Sequence, residues 1–184
     1  MITLVLETFL LGLPFSISNS FAVLSMSIPF YKDWTTPIDF GLEIGGKRLL
    51  GKGKTFRGFL FGTLCGTLIT FVQYPLLQNL DLNFIKELQE FSFEKLLVFN
   101  FLLSFGALFG DMFKSLIKRR MGVKSGQPWV PFDQLDFLIG AILFGSILYT
   151  PPWQTLAVIL IGGPLGHLLT NILGYKLKLK DVWW

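Results

Sequence analysis

Cysteine is almost missing from this chain: Cys65 is the only one, so no internal disulfide can form. Charge is scarce as well. Asp, Glu, Lys and Arg make up 15% of the residues against 52% hydrophobic ones, and the mean hydropathy is +0.58. Together these values exclude an ordinary soluble domain. No internal repeat, low-complexity tract or separate soluble segment interrupts the chain, so residues 1–184 read as a single integral membrane domain. The first apolar run has no Lys or Arg ahead of it, only Glu7, and no clear small-residue cleavage site follows. That pattern fits a retained membrane helix and not a signal peptide.

What is present is a set of long uncharged stretches, at 8–31, 58–80, 96–110 and 137–175. A helix needs roughly 20 apolar residues to cross a bilayer core. The last stretch is too long for one crossing and is broken by Pro151-Pro152, which ends a helix. The expected fold is therefore an all-α membrane protein with five transmembrane helices, near 4–28, 57–78, 96–117, 134–149 and 153–175.

Basic residues gather in two loops. One carries Lys32, Lys47, Arg48, Lys52, Lys54 and Arg57, and the other Lys114, Lys118, Arg119, Arg120 and Lys124. The tail adds Lys176, Lys178 and Lys180. With alternating helices all three fall on one side. The positive-inside rule makes that side cytoplasmic, with the N-terminus outside and the C-terminus cytoplasmic. A multi-pass protein of the cell membrane is expected. Trp153, Trp183 and Trp184 sit where an interfacial aromatic belt would.

In "GDMFKSLIKRRMGVK" (110–124), Asp111, Lys114, Ser115 and Lys118 stand at i, i+3, i+4 and i+7, one face of a helix. A carboxylate at the end of a membrane helix pairs or lines a polar site. "SGQPWVPFDQLDF" (125–137) follows, with Asp133 and Asp136 at the start of the next helix. Two readings stay open. Asp133 as N-cap and Asp136 at the third helical position would form a capping-box arrangement. Alternatively, both carboxylates with Asp111 would form a hard-oxygen cluster of the kind that holds Mg²⁺ beside phosphate.

The first basic loop, "DFGLEIGGKRLLGKGKTFRG" (39–58), contains two near-fits to a P-loop. One ends in Gly53 where Ser or Thr is required, and the other has Arg48 where Gly is required. No strand precedes either, so a P-loop NTPase is excluded. Gly53, Lys54, Thr55 and Arg57 can still supply donors to phosphate oxygens. They could equally form a basic hairpin touching anionic lipid heads.

Ser115-Leu116-Ile117-Lys118-Arg119, then Lys124, then Asp133-Gln134-Leu135-Asp136 resembles the signature of membrane CTP:phosphatidate cytidylyltransferases. The chain departs from the bacterial and eukaryotic form. Pro131-Phe132 stands where His-Gly-Gly precedes the first Asp, Gln134 replaces Arg, and the chain is short. These departures match the archaeal branch, the CDP-archaeol synthases. So do Pro37, Asp39, Gly41, "GKTFRG" (53–58), "HLLTN" (167–171) and "LKLKDVWW" (177–184).

The resemblance implies Mg²⁺-dependent transfer of CMP from CTP to an isoprenoid ether-lipid phosphate, unsaturated archaetidic acid. CDP-archaeol and pyrophosphate are the products, and the site is cytoplasmic. It implies Asp111, Asp133 and Asp136 as metal ligands, with Lys118 among the catalytic residues. Gly53, Lys54, Thr55, Arg57, Ser115 and Lys124 would bind CTP and its phosphates. Membrane lipids are expected partners and nucleic acid is not. A phosphomonoester has its second pKa near ~6 and attacks without a general base. One histidine, His167, and no evident Ser–His pairing suit such a reaction. The alternatives are a CTP-dependent polyprenol or lipid kinase and, in another class, an anion or lipid transporter. The clustering of charge on one face speaks against a transporter, which places charge at mid-membrane. Asn19 is expected to serve as inter-helix hydrogen-bonding glue. For His167 and Asn171 glue and function both stay open.

Overall fold

A computed structural model describes residues 2–25, 28, 33–124 and 127–176. Lys32, the 177–184 tail with Lys178, Lys180, Trp183 and Trp184, and the side chains of His167 and Asn171 lie outside the described residues.

The chain is built on apolar rods. Helix α1 covers Ile2–Leu24. A short hairpin, β1 (Glu43–Ile44) and β2 (Lys47–Arg48), precedes α2 (Phe56–Leu68) and α3 (Thr70–Asn79). Then come a single turn, α4 (Lys86–Gln89), the long α5 (Phe93–Arg120), α6 (Phe132–Gly145) and α7 (Trp153–Lys176). Thr55 caps α2, its Oγ1 accepting from the Gly58 N–H at 3.3 Å. Ser92 caps α5 in the same way through Lys95. The basic last turn of α5, Lys118, Arg119 and Arg120, suits the negative end of its dipole.

Among the described residues three helices are long and apolar enough to cross a membrane: Ile2–Leu24, Phe56–Asn79 and Phe93–Arg120. The other two expected crossings also fall on helices. However, α6 has 14 residues, about 21 Å at ~1.5 Å per residue, which is short of a ~30 Å hydrocarbon core.

Glycine sets the closest approach. A Cβ on Gly140 of α6 would strike the Gly106 carbonyl of α5, and one on Gly110 would strike the Asp136 carbonyl. Only bare backbone lets the two helices lie this near, and the contact brings Asp136 against α5. Gly62 and Gly66 of α2 pack in the same way on the Ser18 and Pro14 carbonyls of α1.

Buried polar groups are tied across helices. Asn100 Nδ2 donates to Thr70 Oγ1 (2.9 Å) and Gln73 Oε1 (2.7 Å), and Gln73 donates to the Leu10 carbonyl. Ser18 and Ser104 bond to opposing carbonyls. Asn19 is not among these: its side chain makes no hydrogen bond among the described residues, against the expectation of glue.

The bundle has two distinct ends. At one, the buried Glu7 carboxylate accepts the N–H groups of Asn83 (2.6 Å) and Phe84 (2.8 Å). Tyr149 Oη donates to the Phe84 carbonyl at that same end. At the other stand the β hairpin and the last turn of α5.

Candidate active site

The glycine-rich loop is an ordered platform. Its ends are joined by a bridge between Pro37 and Thr55 and by the Ile38 N–H on the Lys54 carbonyl at 2.9 Å. Gly45 and Gly46, with φ of 62° and 70°, make the tight turn between β1 and β2. Positive φ at both central residues is what a two-residue hairpin requires. Asp39 organises the interior, accepting the Gly41 N–H (3.0 Å), Arg48 Nη2 (2.7 Å) and the Leu50 N–H (3.1 Å). Burial alone would raise the Asp39 carboxyl. The two backbone donors and Arg48 outweigh it and hold the group below the usual carboxylate range.

Arg120 fastens this platform to the end of α5. It donates to the carbonyls of Ile44 (2.6 Å), Lys47 (2.9 Å) and Arg48 (2.7 Å). The loop then delivers Lys54, whose Nζ pairs with Asp111.

Asp111 comes from α5, Asp133 and Asp136 from α6, and all three converge on Lys114. Its Nζ lies 3.2 Å from Asp111 Oδ1, 2.9 Å from Asp133 Oδ1 and 2.6 Å from Asp136 Oδ2. Asp136 is the most enclosed, its side chain 5% exposed against 20% and 22% for Asp111 and Asp133. Lys118, buried, reaches Asp133 at 3.1 Å and the Gln127 carbonyl at 2.7 Å.

The capping alternative does not hold. Pro131 is the N-cap of α6 and no side chain caps it. Asp133 stands inside the first turn, where its Oδ2 accepts the Trp129 N–H.

The remaining sequence-derived residues divide. Gly53, Lys54, Thr55 and Asp111 line one cavity of about 80 Å³. Asn19 of α1, expected from the sequence to be inter-helix glue, lines it too. Arg57 is buried at the start of α2. Ser115 turns to its own helix, donating to the Asp111 carbonyl at 2.9 Å. Lys124 is exposed and makes no ion pair among the described residues. Lys114, the centre of the cluster, was visible in the sequence only as the i+3 neighbour of Asp111.

On the other side of the cluster, an apolar groove of about 480 Å³ runs between α5 and α6. Phe109, Phe113, Trp129, Phe132 and Phe144 line it, and Lys114 and Asp136 stand in its wall.

The donor set is chemically suited to Mg²⁺, which takes hard carboxylate oxygens together with phosphate and water. In this arrangement an ammonium occupies the point where the carboxylates converge. Among the described residues no group of three or more His, Cys, Asp or Glu side chains stands arranged to hold a metal ion.

A family model described as "CarS-like: CDP-archaeol synthase" matches residues 1–184. The CDP-archaeol synthase of Methanocaldococcus jannaschii is 43% identical over 81% of this chain and 84% of that protein. The one from Archaeoglobus fulgidus is 40% identical over 100% of both. A solved structure, described as an intramembrane enzyme for archaeal membrane lipid biosynthesis, superposes with a TM-score of 0.72. It is 32% identical and covers 91% of this chain and 94% of its own. A helical membrane protein matched over its whole length in this way belongs to the CDP-archaeol synthase family.

Proposed function

We propose that the chain is a lipid cytidylyltransferase that joins CTP to an isoprenoid ether-lipid phosphate, unsaturated archaetidic acid, giving the CDP-lipid and pyrophosphate. The observation that carries this reading is the juxtaposition of two surfaces. A cluster of three carboxylates and three lysines lies against the 53–57 loop on one side and an apolar groove on the other. A nucleotide triphosphate suits the first surface and a lipid chain the second.

The nucleophile is a phosphate oxygen of the lipid, already ionised near neutral pH. It attacks the α-phosphorus of CTP in line, the α–β bridging P–O bond breaks, and pyrophosphate leaves with that bond's electron pair. The obstacle is the repulsion between two polyanions, so positioning and charge neutralisation supply the catalysis. Lys54 and Arg57, with the Gly53 N–H and the Thr55 hydroxyl, hold the nucleotide phosphates. Lys118, fixed by Asp133 and the Gln127 carbonyl, faces the developing charge. Ser115 fixes the backbone turn that presents Asp111. Asp111, Asp133 and Asp136 would hold Mg²⁺, which would supply neutralisation of phosphate charge and orientation of the phosphates. Phe109, Phe113 and Phe144 accept isoprenoid chains in the groove.

We place the five crossings at α1, α2–α3, α5, α6 and α7, with the N-terminus outside and this site at the cytoplasmic face of the cell membrane. Purified protein is incubated with labelled CTP, Mg²⁺ and a panel of lipid phosphates and lipid alcohols. The expected products are a CDP-lipid and pyrophosphate, formed only from the phosphates. Release of CDP with phosphorylation of an alcohol would overturn the reading in favour of a kinase.

A further inference from the structure

The three carboxylates assigned to the divalent cation already hold a cation that belongs to the chain. An ammonium has three N–H donors. The Lys114 ammonium lies within 2.6–3.2 Å of oxygens on three separate carboxylates, one on its own helix and two on α6, and donates a hydrogen bond to Asp111 Oδ1. The Lys114 side chain is 13% exposed, so water does little to screen these contacts. Lys54 on Asp111 and Lys118 on Asp133 complete the set. Three negative charges are thereby balanced by three positive ones.

A divalent ion approaching this cluster would find an ammonium at the centre of the three carboxylates, and like charges at such distances repel strongly. We propose that Lys114 is a resident stand-in for the divalent cation. It keeps the carboxylate cluster neutral and assembled while no substrate is present, and it must leave before the metal is held. Metal affinity is therefore low until phosphate arrives.

The side chain is built for such an exchange. Lysine carries a compact charge on a flexible four-carbon stem. Lys114 also stands in the wall of the α5–α6 groove. The ammonium released from the carboxylates thus has an anion to meet when a lipid phosphate occupies that groove. With the lysine turned to the phosphate, the three carboxylates would be open to a divalent cation.

The inference rests on the reading that Asp111, Asp133 and Asp136 are metal ligands, and the test separates the two. Mn²⁺ is titrated into purified protein in detergent, without nucleotide or lipid, and free Mn²⁺ is read by electron paramagnetic resonance. Lys114→Gln and Lys114→Met, two neutral variants, are expected to bind Mn²⁺ on the order of tenfold more tightly than the unaltered chain, the scale of one charge-assisted contact. Lys114→Arg, which keeps the charge, should stay weak. Size-exclusion profiles establish which variants are folded, and either neutral variant suffices. If the unaltered chain binds Mn²⁺ as tightly as the neutral variants, the stand-in is overturned while the ligand assignment survives. If Mn²⁺ binding by the neutral variants is unchanged when Asp133→Asn and Asp136→Asn are added, the ligand assignment itself fails.

Discussion

Asp133 could cap a helix or hold a metal, and its position one residue inside α6 separates the two roles. With Pro131 at the N-cap, the Asp133 carboxylate faces Lys114 and Lys118 across the α5–α6 interface. Asn would retain an oxygen for the Trp129 N–H but lose the charge that the lysines and a metal require. Asp133→Asn and Asp136→Asn should each lower CDP-lipid synthesis by on the order of 100-fold, with the protein still monodisperse in detergent. Near-normal turnover in both would remove the metal assignment. Gln134→Ala is the internal comparison. Gln134 is buried on α6 with Oε1 unpartnered among the described residues, so a smaller loss is expected from a side chain outside the charged cluster. The aspartates were legible because acids are rare in this chain and their i, i+3 spacing stands out. Lys114 was harder to single out, because a basic residue at a membrane helix end has an ordinary topological explanation. Only the convergence of two helices shows what it contacts.

At the scale of elements, the 37–55 platform is where sequence reading ran out. Strands of two residues lie below any periodicity signal. Gly45-Gly46 was the one local hint of a tight turn. What fixes the hairpin comes from far along the chain: Arg120 spans it through three carbonyls. Arg120→Ala should therefore raise the KM for CTP several-fold by loosening the loop that carries Lys54, with little change in thermal stability. An unchanged KM would mean the loop holds itself. Asp39 provides the internal tie. Its folded value lies below the ordinary 3.8. The stability it adds is therefore fully present above the unfolded value and is lost as pH falls through the folded one. Protection of the amides of residues 41–50, taken relative to the intrinsic exchange rate at each pH, should hold at neutral pH and fall only in acid below the ordinary carboxylate range. Asp39→Asn should show fast exchange at pH 7. Slow exchange in that variant would locate the hairpin's stability elsewhere.

For the whole molecule, the charge-free stretches predicted where the rods lie, and hydropathy could not predict how the short one sits. Helix α6 is too short for the full hydrocarbon thickness on its own, so it could cross a thinned region or dip in and return. The contacts at its far end favour crossing. Tyr149, just past α6, donates to the Phe84 carbonyl, and Phe84 donates to Glu7 near the start of α1. The Pro151-Pro152 hairpin thus shares an end of the bundle with the 81–92 loop. The opposite end holds the β hairpin tied to Arg120. Single cysteines test this once the native Cys65 is replaced by alanine. Lys52, Glu87, Lys124 and Thr150 are all exposed and can carry them. Cysteines at 52 and 124 should react with a membrane-impermeant maleimide only from the cytoplasmic side, and those at 87 and 150 only from outside. Reaction of 52 and 124 from opposite faces would divide the proposed site across the membrane and end it. Reaction of 150 from the cytoplasmic side would leave the site intact but make α6 re-entrant. That outcome would reduce the crossings and move the Pro-Pro hairpin away from Phe84. The bond from Tyr149 to the loop that Glu7 receives argues for 150 labelling with 87, because one short hydrogen-bonded connection cannot bridge two faces of a bilayer.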